Sequence, residues 1–183
     1  MTDDLLDRAV DAALALAADR PWDEITLRAI AEKAQVPFPE LYEKAFGKVG
    51  VADQLSRRLD RAALATASGE AGADPHDRLF DAVMGRVEAM EPHRAALIAI
   101  NHSEGAGQVA KRMARTARAL LEAAGVDTGG VRGAARLAAM TAVWARVLQV
   151  WRDDEGALNR TMAEIDKRLK QMRERLKTVG AGF

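Results

Sequence analysis

The stretch Thr26–Lys48, TLRAIAEKAQVPFPELYEKAFGK, constrains the fold more than any other part of this chain. Thr26 is a good N-cap residue, and Leu27, Ile30, Ala31 and Ala34 follow it at helical spacing. Gln35-Val36-Pro37 reads as a turn. Pro39–Phe46 reads as a second short helix, with proline near its first turn, where the missing N–H costs little, and Gly47 as its breaker. Two short helices across a tight turn form a helix-turn-helix, so nucleic-acid binding is the first functional expectation.

The rest of the chain agrees with an all-α class. Aromatic residues are only 4% of the 183 and β-branched residues are scarce, whereas Ala, Leu, Arg and Glu favour helix. Asp3–Asp19 is an amphipathic helix with Leu6, Val10, Ala13, Leu14 and Ala17 on one face, ended by Pro21. Further helices are expected at about 48–67, 75–90, 91–101, 108–124, 131–151 and 158–177, about nine in all. SGEAGADP at 68–75 is a linker, and the final VGAGF is expected to fray. The expected organisation is a three-helix head at 1–50 and a larger helical body at 51–183.

Several function classes are disfavoured. The chain has no cysteine, which removes disulfides and thiolate metal sites. His76, His93 and His102 offer no pair at helical ligand spacing, so no metal is expected, and Asp153-Asp154-Glu155 suits a helix N-terminus better than a cation. With neither a phosphate loop nor a nucleophile triad, the reading is a non-enzyme without cofactor. The N-terminal MTDDLLDRAVD lacks the basic and apolar regions of a signal peptide, and no apolar run reaches the ~20 residues of a membrane span, so a cytoplasmic location is expected. Charge is divided: residues 1–50 carry six Lys and Arg against ten Asp and Glu, a net of −4, and residues 51–183 carry 21 against 17, a net of +4.

The residues Thr26, Ile30-Ala31, Ala34-Gln35-Val36-Pro37, Leu41-Tyr42, Phe46 and Lys48 resemble the N-terminal pattern of the TetR family of bacterial transcriptional regulators. The resemblance implies a TetR-like fold, a homodimer on a palindromic double-stranded operator, and an affinity set by a small apolar ligand. It implies phosphate contacts from Thr26 and Arg28, a thymine-methyl contact from Phe38, and backbone or base-edge contacts from Tyr42, Lys44 and Lys48. The chain departs from the pattern at Gln35, where the family has glycine, at Pro37, where it has serine, and at Phe46, which follows Tyr42 by four residues instead of three. RVEAMEPHRAAL (86–97), VWRDDEG and TMAEIDKRL (161–169) also resemble the lipid-binding accessory proteins of ubiquinone biosynthesis, which share the fold. That second resemblance implies peripheral membrane contact through the last helix instead of DNA binding.

Two constellations in the body have a plain and a functional reading. Leu158, Met162, Ile165, Leu169 and Met172 form a 4-3 stripe on the last helix, the seam of helix packing and, by the first resemblance, of a dimer. Lys167, Arg168, Lys170, Arg173, Arg175 and Lys177 flank it. Met84, Met113, Met140 and Trp144 could line an apolar ligand pocket, or simply fill the core.

Overall fold

The computed structural model describes residues 2–67, 74–154 and 156–183. The described residues form nine α-helices and no strand: α1 (Thr2–Asp19), α2 (Leu27–Ala34), α3 (Phe38–Ala45), α4 (Lys48–Thr66), α5 (Pro75–Met90), α6 (Arg94–Ser103), α7 (Ala106–Ala123), α8 (Gly130–Arg152) and α9 (Asn159–Thr178). Short 3-10 turns at Trp22–Glu24 and Glu91–His93 precede α2 and α6. The linker expected at 68–75 lies outside the described residues up to position 73, as does Glu155 of the acidic run. Among the described residues no helix is long and apolar enough to cross a membrane.

The chain forms two compact units, Met1–Arg58 with Pro92–Val109, and Leu59–Glu91 with Ala110–Phe183. In the first, α1 packs against α2, α3 and α6. Val10, Ala13, Leu14 and Ala17 are buried as the periodicity requires, while Leu6 stays half-exposed and Leu5 and Ala9 complete the face. Trp22 and Ile25 are buried after the break at Pro21, and α6 contributes Leu97 and Ile100.

In the second unit α9 packs against α8 and α5. The buried faces are Leu79, Val83, Val87 and Met90 on α5, Met140, Val143, Trp144, Val147 and Trp151 on α8, and Ile165, Leu169, Met172 and Leu176 on α9. A glycine at position 85 is required by close approach, because a Cβ there would fall 2.2 Å from the Thr66 hydroxyl oxygen. A buried ion pair lies inside this unit. Arg86 Nε donates to Asp60 Oδ1 at 2.8 Å, Thr116 Oγ1 donates to the same oxygen at 3.0 Å, and the guanidinium stands 4.8 Å from the Trp144 ring centre. Burial pulls the Arg86 pKa below its ordinary value, and the Asp60 charge opposes that.

The two ends of α9 are held by side chains from outside it: the N-terminal one belongs to the acidic run that the sequence places at this helix start, and the C-terminal one is not specified by the sequence pattern. Leu158, the N-cap, is left-handed at φ 56° and offers no side-chain acceptor. Asp154 takes over: its Oδ2 accepts from the Thr161 N–H at 2.8 Å and from the Thr161 hydroxyl at 2.7 Å. At the other end the tail is not frayed. Arg136 donates through Nε to the Ala181 carbonyl at 2.9 Å and through Nη2 to that of Gly182 at 2.8 Å, and Ala181 is buried. The guanidinium fork thus pins two tail carbonyls beyond the end of α9.

Burial raises the Asp154 pKa, but the two bonds from Thr161, joined by the Arg160 N–H and the Arg160 charge, together hold the carboxyl below its ordinary value. A depressed folded pKa contributes stability that is present above the unfolded carboxylate pKa and is lost as pH falls through the folded one. Asp154→Ala is therefore expected to cost about 2 kcal/mol at neutral pH, leaving the Thr161 donors without an acceptor. The difference between the thermal melts of the two proteins should start to shrink as pH falls below about 4 and keep shrinking through the lower, folded-state pKa. Parallel curves at all pH values would show that the carboxylate charge is not what holds α9.

Candidate nucleic-acid interface

α2 and α3 have eight residues each, so their relative placement depends on the connections around them. Thr26 caps α2, its Oγ1 accepting from the Ala29 N–H at 3.1 Å. At the other end Gln35 is left-handed at φ 54°, in the position that ordinarily favours glycine. The turn is closed by the Val36 N–H on the Ala31 carbonyl at 3.0 Å, a Schellman-type bond. Arg8 of α1 adds a second tie, with Nη2 donating to the carbonyls of Ala34 at 2.6 Å and Gln35 at 2.8 Å. Pro37 is the N-cap of α3 and makes no side-chain cap, as its chemistry dictates.

Leu41 and Ala45 are the buried residues of α3, and Pro39, Glu40, Tyr42, Glu43 and Lys44 are exposed. Arg28 of α2 lies 4.5 Å over the ring of half-buried Phe38, whose centroid is 6.1 Å from that of Tyr42. Arg28, Phe38 and Tyr42 thus form one continuous cation–aromatic surface across the two helices. Ala45 occupies the inward position at the end of α3, and Phe46 turns outward, 82% exposed in the left-handed region at φ 51°. The four-residue spacing from Tyr42 is the reason: it carries the aromatic past the buried face. α4 begins close against this corner, where a Cβ on Gly50 would sit 1.8 Å from the Ala45 carbonyl oxygen.

The six residues assigned by the resemblance therefore divide. Arg28, Phe38 and Tyr42 come together, and Lys44 is exposed on the opposite flank of α3. The Thr26 hydroxyl is engaged as a cap. Lys48 turns back on its own unit: its Nζ donates to the carbonyls of Trp22 at 2.6 Å and Asp23 at 3.3 Å, and lies 5.1 Å from the Trp22 ring centre. Burial lowers its pKa, against the pull of Asp23. Arg8, which holds the turn, was not singled out by sequence reasoning, because its partners are carbonyls 26 and 27 residues away.

In the second unit, Met84, Met140 and Trp144 are buried and Met113 is half-exposed. The Trp144 ring faces Arg86, a partner that a charge on the inward face of α5 could have signalled. Of the α9 stripe, Ile165, Leu169 and Met172 are buried within the protomer, Leu158 is half-exposed and Met162 is 44% exposed. Alongside the stripe, α8 and α9 leave a groove of about 310 Å³ floored by Ala135, Ala139, Ala142 and Met172, with Arg146 and Arg168 among its lining. Val131 on α8 is 89% exposed and Val179, just beyond α9, is 69% exposed.

Several cations of α9 are internally paired. Arg168 Nε and Arg146 Nε donate to Glu164 Oε1 at 2.7 and 3.0 Å, Lys170 to Asp166 at 2.8 Å, Lys177 to Glu174 at 2.9 Å, and Arg173 to Asp74 at 3.0 Å. The Arg168 bond, with that of Arg146 behind it, holds the Glu164 carboxyl below its ordinary range.

No family model and no curated protein sequence matches the chain. Solved structures do. A TetR transcriptional regulator from Nitrosomonas europaea ATCC 19718 superposes with a TM-score of 0.70 at 21% identity, covering 91% of this chain and 96% of that one. One from Rhodococcus sp. RHA1 gives 0.69 at 16%, covering 92% and 95%. One from Streptomyces coelicolor gives 0.66 at 19%, covering 96% and 98%. At these identities the likeness shows the fold, which is that of the TetR-type regulators, over nearly the full length of each chain.

Phe46 gives this site a stability test. An aromatic residue at positive φ is strained, and an 82% exposed ring recovers little by packing. Asn tolerates this conformation better, so Phe46→Asn is expected to stabilise the protein by about 0.5–1 kcal/mol, read as a higher melting temperature. A clear loss of stability would mean that the ring packs more tightly than its exposure implies.

Proposed function

We propose that the protein is a transcriptional regulator that binds operator DNA as a homodimer, with residues 1–50 as the DNA-binding head and 51–183 as the dimerisation and ligand-binding body. The observation that carries this reading is the presentation of α3. Its inward side is anchored by Leu41 and Ala45, and its outward side is free of any described helix. Arg28, Phe38, Tyr42 and Lys44 border that side, and a two-turn helix fits the width of the major groove. The structural neighbours that are called TetR regulators support it through their fold.

The dimer reading rests on the α8–α9 surface. Ala135, Ala139 and Ala142 permit close helix approach, and Met162, Val131 and Val179 are apolar groups facing solvent in the isolated chain. A four-helix bundle with the same helices of a second copy would cover them. In the body, the buried Met84, Met140 and Trp144, with Met113 nearer the surface, would receive a small apolar effector. Its differential affinity for two spacings of the heads would couple it to operator affinity.

A rival reading, lipid binding at a membrane by α9, draws on the basic character of that helix. The ion pairs of Arg168, Lys170, Arg173 and Lys177 reduce the field that would attract anionic lipid, which supports the first reading over it.

Ala142 is exposed in the protomer, so Ala142→Glu should leave its fold intact and halve the mass seen by light scattering at micromolar concentration. A wild type that is already monomeric there would remove the dimer. Selection from randomised duplexes at low salt should enrich a palindrome. Lys44→Ala should weaken all sequences alike and flatten the salt slope by about one for each Lys44–phosphate pair removed. Absence of any enriched duplex, including the protein's own upstream DNA, would remove the regulator.

A further inference from the structure

The inward direction of α3 is fixed by Leu41 and Ala45, four residues apart. At 3.6 residues per turn the positions pointing directly away are Pro39 and Glu43, also four apart, and both are exposed. Phe38 and Tyr42 lie on one flank of this line, Glu40 and Lys44 on the other. The centre of the presented surface is therefore a carboxylate beside a proline ring, not a guanidinium or an amide.

We propose, on the basis of the operator-binding reading above, that Glu43 is the central base-reading side chain. Each half-site then carries a cytosine whose N4 amino group donates to the Glu43 carboxylate, next to a thymine whose methyl group lies against Pro39 and Phe38. An ionised carboxylate only accepts hydrogen bonds. It cannot pair with guanine N7 or O6, and it is repelled by phosphate. The donors in the major groove are cytosine N4 and adenine N6. The adenine amino group lies between two acceptors, its own N7 and the O4 of the paired thymine, so a second carboxylate oxygen meets negative charge on either side. The cytosine amino group has the C5–H edge on one side, which leaves room for that oxygen.

The same charge that costs affinity on the wrong base supplies discrimination, because a carboxylate pressed into the groove without a donor is left unpaired. The neighbouring wall is already assembled. Arg28 holds the Phe38 ring from one side at 4.5 Å and Tyr42 borders it at 6.1 Å, so the apolar surface meets a methyl group without first having to order itself. Arg28 and Lys44, to either side, carry the positive charge for the two phosphate strands.

The test is selection from randomised duplexes with wild type, Glu43→Gln and Glu43→Ala, followed by competition binding on the enriched site. Glu43 is exposed, and equal melting temperatures will confirm that the variants fold. Wild type should enrich cytosine at one position of each half-site with thymine adjacent, by about tenfold over the other bases. Glu43→Gln should move that position to adenine, which pairs with an amide through N6 and N7. Glu43→Ala should lose preference there and keep it elsewhere. If all three proteins enrich one palindrome with the same base at every position, the inference fails and the regulator reading stands. The same holds if Glu43→Ala simply binds every duplex more tightly by one factor, since Glu43 would then be only a repelling charge. If wild type enriches no duplex, both fail together.

Discussion

Helices of eight residues do not persist in water on their own, and α2 and α3 are both that short. Everything the first unit can present depends on α1, which packs against both. Leu41 is fully buried and Ala45 nearly so, and these two contacts set the rotation of α3 about its axis. The Arg8 guanidinium, bonded to the carbonyls of Ala34 and Gln35, ties α1 to the turn between α2 and α3. It also helps to offset the cost of a glutamine in a left-handed turn position. Without these ties the surface of Arg28, Phe38 and Tyr42 would not exist as one surface.

The second unit is organised around a different constraint, a buried charge. Arg86 must keep the Asp60 carboxylate and the Thr116 hydroxyl in register, which couples α5 to α4 and α7, while its contact with Trp144 adds α8. Buried ion pairs contribute little net stability, but removing one partner leaves a desolvated charge and is costly. The arrangement thus favours one packing of these helices over near alternatives. The paired cations of α9 follow another logic: they are exposed or half-exposed, bonded within the helix or to its neighbours, and worth little individually.

The helical class and most helix boundaries were legible in the sequence, because caps and period-3.6 burial are local properties. The Thr26 cap, the Gln35–Pro37 turn and the buried Ile30, Ala31 and Ala34 of α2 stand where spacing put them, while Leu27 is half-exposed. The pattern of Thr26 to Lys48 also pointed to the fold that the structural neighbours share. What spacing could not reveal was the partner. The α9 stripe showed that a face is buried, but not that Ile165, Leu169 and Met172 are buried inside the same protomer. Lys48 looked like a phosphate ligand, yet its ammonium is held by the Trp22 and Asp23 carbonyls. The tail looked frayed because Arg136, which holds it, is 45 and 46 residues away. At Phe46 the one-residue change in spacing was visible, but its left-handed conformation past the end of α3 and its outward ring were not.

The central claim is that the presented face of α3 meets duplex DNA. Backbone amide chemical-shift mapping tests it most directly, with an enriched duplex added in one titration and anionic phospholipid vesicles in another. The account expects shifts from the duplex at Thr26, Arg28 and the Phe38–Lys44 segment, with the Lys167–Lys177 segment of α9 unmoved. Shifts confined to α9 and produced by vesicles, with α3 silent toward every duplex, would contradict it.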